Sequence, residues 1–587
     1  MAQTIMAALA ASTSEFAALP ALRHKSNGQW QTLSWADYGS QTRLVARALM
    51  ALGLKPQEGL VIIGDNCPAW FIANLAAIHA GAIPAGIYAT NSPEQCHYIT
   101  EHCGATIAVV ENATQLAKFT ALAEQLPKLK AIVMMEGSDS AEHVYAWQDL
   151  PALAEQVPEQ ALDTRIAAQS GDDVCTLIYT SGTTGQPKGV MLSHRNLGWM
   201  AQTCAEVYEC NSDERVISYL PLSHIAEQIF SLYIPLHCGG CTAFAESLAA
   251  LGDNLREIRP TSFIAVPRVW EKIQAKMLSA GKDSPALRKK IIAWARKQGL
   301  MGGYALQQGQ TPSLSYRLAN KLVYTKVRQQ LGFERCRNLL TSAAPISLDT
   351  LEFFLSLGLP ICEIYGMSEC AGAATATLAE LYHTGKLGRS LPGAETRIAE
   401  DGEILLRGPH IFSGYLGNEA ATREAIDADG WLHSGDIGTI NDAGFLQITG
   451  RKKDIIITAG GENIAPQLLE GKLKAITAVS QAVVIGDQRK YLSALITLDI
   501  ESLSDELKSA GSSASSLAEA ASCERLQAYI QRQIDGINQE LAQVQTIKKF
   551  TLLAEDFSIE GEELTPTMKI KRNIVGLKYQ RQIDAMY

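Results

Sequence analysis

The pattern of apolar and polar residues predicts an α/β protein. In the first part of the chain, short apolar runs alternate with longer helix-like stretches, and the clearest predicted strands are 60–63 and 106–110. Such alternation favours a mostly parallel sheet covered by helices. A second α/β region is predicted to begin with the apolar run 174–179 and to include strands near 263–266 and 361–364.

One apolar stretch could be mistaken for a membrane span. Residues 66–93 contain no Asp, Glu, Lys or Arg, but polar residues, glycines and a proline interrupt the stretch. A span needs ~20 mostly apolar residues, so this segment is predicted to form a buried helix near 69–80 and a buried strand near 83–88. The N-terminus also lacks a signal-peptide pattern. A cytoplasmic protein is therefore expected, with peripheral membrane contact left open.

The pattern of predicted elements changes in the later part of the chain. From about residue 394 short strands such as 395–398 and 403–406 indicate a small β subdomain that continues to 450. The remainder contains a predicted hairpin, 482–485 with 492–498, and a Ser/Ala-rich stretch, 502–522, that is typical of a loop or mobile insert. The predicted domains are 1–450 and 451–587.

Charge excludes one class of partner. The chain has 51 Lys and Arg against 61 Asp and Glu, a net charge of −10. Nucleic-acid binding normally requires a basic domain, so no nucleic-acid partner is expected. An anionic substrate would have to be bound by local basic groups.

The segment 179–189 (YTSGTTGQPKG) has the composition of a phosphate-binding loop. Its glycines let backbone N–H groups converge on an anion, and Lys188 adds a positive charge suited to phosphate. The spacing is not that of a Walker A loop, because Gly189 follows the lysine where Ser or Thr would be needed. The other candidate ligands in this loop are Thr180, Ser181, Gly182, Thr183, Thr184 and Gly185.

This loop resembles the phosphate-binding signature of the acyl-adenylate-forming enzymes, a superfamily that includes acyl-CoA synthetases, luciferases and peptide-synthetase adenylation domains. Further motifs occur in the superfamily's order: 342–345 (SAAP), 365–369 (YGMSE), 431–436 (WLHSGD) and 564–572 (LTPTMKIKR). The resemblance covers almost the whole chain. It implies a large N-terminal domain of two α/β subdomains and a small β subdomain, followed by a small, mobile α+β C-terminal domain.

The resemblance implies specific contacts to the base, the phosphates and the metal. The loop that holds Ala344 would lie along the adenine, and the Tyr365 ring, next to Gly366, would stack on it. The Ser368 hydroxyl, where the superfamily usually has Thr, would hold the α-phosphate. Glu369 would bind Mg²⁺, for which a hard carboxylate oxygen is a natural ligand.

The resemblance also implies the ribose contacts. Asp436 would accept hydrogen bonds from the two ribose hydroxyls, for which a carboxylate has enough acceptor positions. Arg451 would reach the same ribose. An aspartate in a turn is the alternative interpretation of Asp436.

Three residues of the C-terminal domain receive roles from the resemblance. Lys453 would be the hinge, Gly461 would let pantetheine pass close to the backbone, and Lys569 would be the catalytic lysine. Thr-Met precedes that lysine where many members have Ser-Gly, and Lys571 competes for the role if the register slips. Without the resemblance, 451–454 (RKKD) and 564–572 would be interpreted as solvated charge clusters.

The implied reaction has two halves. A carboxylate attacks the α-phosphorus of ATP to give acyl-AMP and pyrophosphate, and CoA then displaces AMP to give a thioester. The co-substrates would be ATP and CoA, with Mg²⁺ as the metal.

Three motifs, 221–227 (PLSHIAE), 266–272 (VPRVWEK) and 451–455 (RKKDI), resemble the long-chain branch. His224 would lie near the reacting carboxylate, although a lone histidine among apolar residues is more often part of the core. Trp270 could belong to the core or to the pocket. A medium- or long-chain fatty acid is the expected substrate.

Two alternatives remain open. One is a ligase that transfers the acyl group from acyl-AMP to a carrier protein. The other is a non-catalytic acyl-nucleotide sensor that has kept the fold. Acyl chain length and oligomeric state cannot be inferred from motifs.

Overall fold

The largest sheet forms the centre of the N-terminal part. The computed structural model describes residues 4–121, 123–180, 186–282, 284–377, 382–565 and 568–587. In the largest sheet, all five residues of the central strand Gly59–Ile63 are buried, as expected for a mostly parallel sheet covered on both faces. In spatial order the eight strands are Gly414–Tyr415, Lys188–Ser193, Val174–Thr180, Ile83–Ile87, Gly59–Ile63, Ala105–Val110, Ala131–Met134 and Val144–Ala146.

Two further sheets complete the α/β region. The strands of the five-stranded sheet, in order, are Ser262–Ala265, Asn338–Thr341, Cys362–Tyr365, Thr375–Ala376 and Arg389–Ser390, of which the first three are parallel. The strands of the four-stranded sheet are Arg215–Ser218, Cys241–Phe244, Pro20–Ser26 and Gln29–Ser34.

The remaining sheets lie later in the chain. An antiparallel sheet, which we call the β subdomain sheet, contains Glu395–Ile398, Glu403–Arg407, Leu432–Ile440 and Leu446–Arg451. After it, the C-terminal part has a two-stranded sheet (Ile456–Ile457, Asn463–Ile464) and a three-stranded sheet (Val479–Ile485, Leu492–Leu498, Ile547–Leu552). The C-terminal three-stranded sheet packs into a hydrophobic cluster of its own.

Helices cover these sheets. The α-helices before the β subdomain sheet are Ile5–Glu15, Trp35–Ala51, Pro68–His79, Pro93–His102, Ala113–Thr120, Leu150–Ala154, Glu159–Ala167, His194–Val207, Ile225–Glu227, Ile234–Cys238, Leu251–Ile258, Pro267–Lys282, Ala286–Gln307, Leu314–Ala319, Thr325–Leu331 and Leu348–Leu355. Later α-helices are Glu419–Ala425, Pro466–Lys474, Leu503–Ser509, Leu517–Ala521, Glu524–Gln539, Arg572–Lys578 and Gln580–Ala585. Short 3₁₀ segments are Ala123–Gln125, Trp147–Asp149, Ser368–Cys370, Lys452–Asp454 and Gln543–Gln545, and π segments are Gln228–Tyr233 and Asn320–Tyr324.

Local sequence explains where many of these helices begin. Ser34 caps helix Trp35–Ala51 in a capping box with Asp37, and Pro68 occupies the first turn of the buried helix Pro68–His79. That helix and strand Ile83–Ile87 confirm the predicted buried pair. No helix among the described residues is long and apolar enough to cross a membrane.

Two expectations are wrong. Strand Val174–Thr180 does not begin the second α/β region, because it pairs in parallel with Ile83–Ile87 in the sheet of the first region. The stretch 502–522 is not simply a loop or insert: it contains helices Leu503–Ser509 and Leu517–Ala521. Leu503 and Leu507, one turn apart, and Ala520 are buried in the C-terminal core. These few apolar contacts order a segment whose Ser/Ala composition suggested a loop.

Trp270 belongs to the core. It is fully buried, its ring packs edge-on against Phe263 and Phe354, and its indole N–H donates to the Leu340 carbonyl at 3.2 Å. A pocket role is therefore not supported for this residue.

Candidate active site

The Asp436 side chain, on the β subdomain sheet, links that sheet to the five-stranded sheet by hydrogen bonding. It lies directly opposite Arg451 in the antiparallel pair and is only 5% exposed. Its Oδ1 accepts from Arg451 Nε at 2.9 Å, and its Oδ2 accepts from the Tyr365 hydroxyl at 2.9 Å. Burial and the Asp436 carboxylate raise the pKa of Tyr365, so this hydroxyl stays protonated and donates.

Two loops meet beside Tyr365, at the carboxyl ends of parallel strands. The exposed Ala344 follows strand Asn338–Thr341, and the Ser342 hydroxyl donates to the Ile364 carbonyl at 3.0 Å. Such strand ends are the usual location of ligand sites in open α/β sheets.

Gly366 and Ser368 shape the second of these loops. A Cβ on Gly366 would lie 1.8 Å from the carbonyl oxygen of Gly372, so only glycine fits there. Ser368 is buried and starts the short helix Ser368–Cys370. This close backbone packing fixes the backbone position of the following residue, Glu369.

Tyr415 connects Lys188 to Glu369. Lys188 Nζ lies 4.7 Å from the centre of the Tyr415 ring, which is a cation–π contact. The Tyr415 hydroxyl donates to Glu369 Oε1 at 2.8 Å, and Tyr415 pairs with Val190 on the Lys188 strand. Burial and Glu369 raise the pKa of Tyr415, which keeps it a donor.

The phosphate loop itself is only partly described. Thr180 ends its strand opposite Lys188. The predicted ligands Ser181, Gly182, Thr183, Thr184 and Gly185 lie outside the described residues.

His224 caps the short helix Ile225–Glu227. Its Nδ1 accepts from the Ala226 N–H at 3.2 Å, which leaves the proton of the neutral ring on Nε2. Burial, and next the positive charge of Lys569, lower the pKa of His224 to about 4. The ring is therefore neutral at physiological pH.

Lys569 is brought to this cluster from the C-terminal part. Its backbone N–H donates to Thr565 Oγ1 at 3.1 Å, and the residue is exposed. Partial desolvation and Arg451 lower the pKa of Lys569, and the carboxylates of Asp436 and Glu369 oppose that shift. Residues from the loop after strand Cys362–Tyr365 and from the β subdomain sheet thus act on an ammonium group of the C-terminal part.

Lys571, Lys453 and Gly461 occupy other places. Lys571 precedes helix Arg572–Lys578, and its N–H donates to the Glu563 carbonyl. Lys453 is exposed in the short helix after Arg451. Gly461 lies in an exposed turn with φ +81°, with open space where a Cβ would be, so the structure does not place it against the cluster.

Two interdomain ion pairs join the N-terminal and C-terminal parts. Arg268 Nη2 lies 2.9 Å from Asp499 Oδ2, and Lys272 Nζ lies 3.0 Å from Glu501 Oε1. The two basic residues are one turn apart on helix Pro267–Lys282, and the two acidic residues directly follow strand Leu492–Leu498. No sequence signal marks these pairs, because they depend on how the two parts dock.

Sequence reasoning also missed a buried carboxyl group in the motif 221–227. Glu227 is fully buried, and its Oε1 accepts from the Ser218 hydroxyl at 2.6 Å. Ser218 in turn accepts from the Asn66 amide at 2.8 Å. Burial raises the pKa of Glu227 to about 7. The sequence motif 221–227 marked this segment, but only the folded structure shows that its last residue, Glu227, is buried.

The fold and the family models both identify the class of protein. The family model of the AMP-binding enzyme matches residues 9–416, and that of the AMP-binding enzyme C-terminal domain matches residues 453–587. The chain therefore belongs to the AMP-binding enzyme family, in the branch of the long-chain fatty acyl-CoA synthetases.

Individual relatives agree with this assignment. The chain is 43% identical to long-chain-fatty-acid–CoA ligase ACSBG2 of Xenopus laevis, over 97% of this chain and 81% of that one. It is 40% identical to the human protein of the same name, over 98% of this chain and 91% of that one.

Solved structures share the fold. ATP-bound MatB from Rhodopseudomonas palustris aligns with a TM-score of 0.73 at 20% identity, over 99% of both chains. The adenylation domain of a carboxylate reductase from Mycobacterium chelonae aligns with a TM-score of 0.76 at 19% identity, over 100% of this chain and 91% of that one. The predicted fold class is thus confirmed.

Proposed function

We propose that the protein activates a medium- or long-chain fatty acid with ATP, through acyl-AMP, to acyl-CoA, and releases AMP and pyrophosphate. The observation that supports it best is that the Lys569 ammonium group interacts electrostatically with Asp436, Glu369 and His224. The names of the relatives, long-chain-fatty-acid–CoA ligases, support the choice of a fatty acid and of CoA as substrates.

In this proposal the nucleotide binds between the two loops and the β subdomain sheet. Asp436 uses one lone pair on each oxygen for Arg451 and Tyr365, so two acceptor positions remain for the ribose hydroxyls. The Tyr365 ring and the loop of Ala344 hold the adenine. Ser368 is assigned to the α-phosphate.

The triphosphate requires positive charge. Lys188 and the loop residues Thr180 to Gly185 are assigned to the phosphates. Glu369 fits Mg²⁺, since this ion is commonly bound by one or two carboxylates together with substrate phosphates and water. Among the described residues no group of three metal-binding side chains lies together, which agrees with a single protein carboxylate. Bound Mg²⁺ would neutralise charge on the phosphate oxygens.

Lys569 is assigned to the first half-reaction. The fatty-acid carboxylate oxygen attacks the α-phosphorus, and the bond to pyrophosphate breaks with its electron pair leaving on pyrophosphate. Two anions must approach each other, so positioning and charge stabilisation dominate. An ammonium group placed between the carboxylate and the α-phosphate supplies that stabilisation.

The second half-reaction uses CoA. Its sulfur attacks the acyl carbonyl carbon as the thiolate, and the bond from that carbon to the phosphate oxygen breaks with its electron pair leaving on AMP. The neutral His224 borders the place of the acyl carboxylate, and Lys453 and Gly461 are assigned to the hinge and to the pantetheine path. Because fatty acids partition into bilayers, peripheral membrane contact is part of the proposal.

The proposal is tested by ATP- and CoA-dependent thioester formation across saturated acids from acetate to stearate, with pyrophosphate measured in parallel. The expected result is a maximum at medium or long chains with equal amounts of pyrophosphate and thioester. Pyrophosphate without thioester would favour the carrier-loading ligase. Nucleotide binding without pyrophosphate release would favour the sensor.

The two interdomain ion pairs are proposed to hold Lys569 in the site, so Arg268 and Asp499 are positioning residues. We expect Asp499→Arg to slow pyrophosphate release about tenfold, because a repulsion replaces a partly buried attraction. Thioester formation from supplied acyl-AMP should be unchanged. The double variant Arg268→Asp/Asp499→Arg should recover most of the lost rate.

Glu560→Arg is the matched control, since Glu560 is an exposed acid of the same part. It should leave both half-reactions unchanged. Failure of the charge swap to restore pyrophosphate release would contradict the positioning role.

A further inference from the structure

One segment of this acidic protein is strongly basic. Residues 284–331 contain nine Lys or Arg and no Asp or Glu, whereas the whole chain has a net charge of −10. The nine are Arg288, Lys289, Lys290, Arg296, Lys297, Arg317, Lys321, Lys326 and Arg328.

The segment folds into two antiparallel helices. One is Ala286–Gln307, and the other is the continuous helical stretch 314–331. The two helices pack against each other: the Tyr324 hydroxyl donates to the Ala295 carbonyl at 2.6 Å, and the Tyr316 ring lies against Gly302. The sides of both helices that face away from these contacts are available to solvent.

That outer surface is apolar as well as basic. Leu314, Leu318 and Leu322 follow one another at single-turn spacing and are 79%, 51% and 48% exposed. Leu287 and Ile291, also one turn apart, are exposed on the neighbouring helix. We call this surface the basic–apolar face.

The basic residues of this face have no acidic partners. Arg296 and Arg328 turn inward, to Ser356 and to the Gly358 carbonyl. The other seven are exposed, and within the described residues none of them forms an ion pair. Ordinary surfaces intersperse both signs of charge, so this separation calls for an anionic partner.

We propose that the basic–apolar face docks on an anionic lipid bilayer. Helices that lie on membranes combine a row of apolar side chains, which enter the acyl region, with Lys and Arg, which contact anionic headgroups. A nucleic acid would explain the charge but not the exposed leucines. A second copy fits poorly, because a two-fold interface would place the same seven positive charges against themselves.

Docking specifies the surface for the membrane contact proposed above, but it does not depend on the catalytic activity, since it needs neither ATP nor CoA. The full-length protein is mixed with vesicles of phosphatidylcholine, alone or with phosphatidylglycerol, and bound protein is separated by flotation. We expect at least about tenfold tighter binding to the anionic vesicles, weakened by added salt.

Two triple variants separate the contributions of charge and apolar contact. The basic variant is Arg317→Gln/Lys321→Gln/Lys326→Gln, and the apolar variant is Leu314→Ser/Leu318→Ser/Leu322→Ser. Each should weaken binding to anionic vesicles about tenfold or more. Both sets are exposed, so the midpoint of thermal unfolding should stay close to that of the unchanged protein.

The matched control is Lys55→Gln/Lys128→Gln/Arg532→Gln, which removes three exposed charges elsewhere. Equal loss of binding in the control and the basic variant would overturn the proposal, as would absence of binding to anionic vesicles. Light scattering that shows a dimer of the unchanged protein and a monomer of the apolar variant would instead assign the face to a second copy.

Discussion

Replacing Lys569 with alanine is expected to slow pyrophosphate release about 10²–10³-fold. The ammonium group is the cation that the C-terminal part adds to the site, and the fatty-acid carboxylate and the α-phosphate repel each other without it. Thioester formation from supplied acyl-AMP should be nearly unchanged, because in that step the attacked carbonyl carries no net charge. Measuring each half-reaction separately, by single turnover, checks both statements.

Lys571→Ala is the control for this prediction. Lys571 lies two residues away and is the alternative in the sequence register, but it stands at the start of helix Arg572–Lys578. It should leave both half-reactions unchanged. A larger effect of Lys571→Ala on pyrophosphate release, or equal loss of both half-reactions in Lys569→Ala, would refute the assignment.

The charges of the site balance one another before any substrate is bound. Asp436 faces Arg451, and Glu369 is linked through Tyr415 to Lys188. Lys569 is influenced by both carboxylates as well as by Arg451. Groups held in place in this way need little reorganisation when an anionic substrate arrives, which is the main electrostatic contribution to catalysis.

Short-range patterns predicted several individual strands well. These strands were marked by apolar runs, and the predicted strands 83–88 and 492–498 lie where Ile83–Ile87 and Leu492–Leu498 are found. Assignment of a strand to a sheet depends on partners far away in sequence, and the hydrophobic pattern does not contain that information. This is why Val174–Thr180 was expected to begin a second α/β region but belongs to the sheet of the first.

The residues of the candidate site show the same difference: some are marked by short sequence motifs, and others come together only through pairings distant in sequence. Asp436, Tyr365 and Glu369 were predicted because they stand in motifs with recognisable residue types. Tyr415 was missed, since only the pairing of Gly414–Tyr415 with the Lys188 strand brings it to Glu369. Asp499 was missed because its partner Arg268 is 231 residues away.

Replacing Asp436 with alanine should raise the KM for ATP about a hundredfold. Hydrogen bonds to a charged group contribute about 1.5–3 kcal/mol each, and the assigned ribose contacts would lose two of them. The buried Tyr365 hydroxyl and Arg451 would also lose their acceptor. Asp436→Asn keeps the shape and one acceptor oxygen, so a smaller rise, about tenfold, is expected.

Calorimetric titration with ATP, together with KM values for ATP and for the fatty acid, checks this prediction. The fatty-acid KM should change little, because Asp436 is assigned to the ribose alone. Asp401→Asn is the control, since Asp401 lies in the turn between strands Glu395–Ile398 and Glu403–Arg407, pairs with Lys452 and is exposed. An Asp436→Ala protein with ordinary ATP affinity would mean that Asp436 serves only to hold Tyr365 and Arg451, and the ribose would have to bind elsewhere.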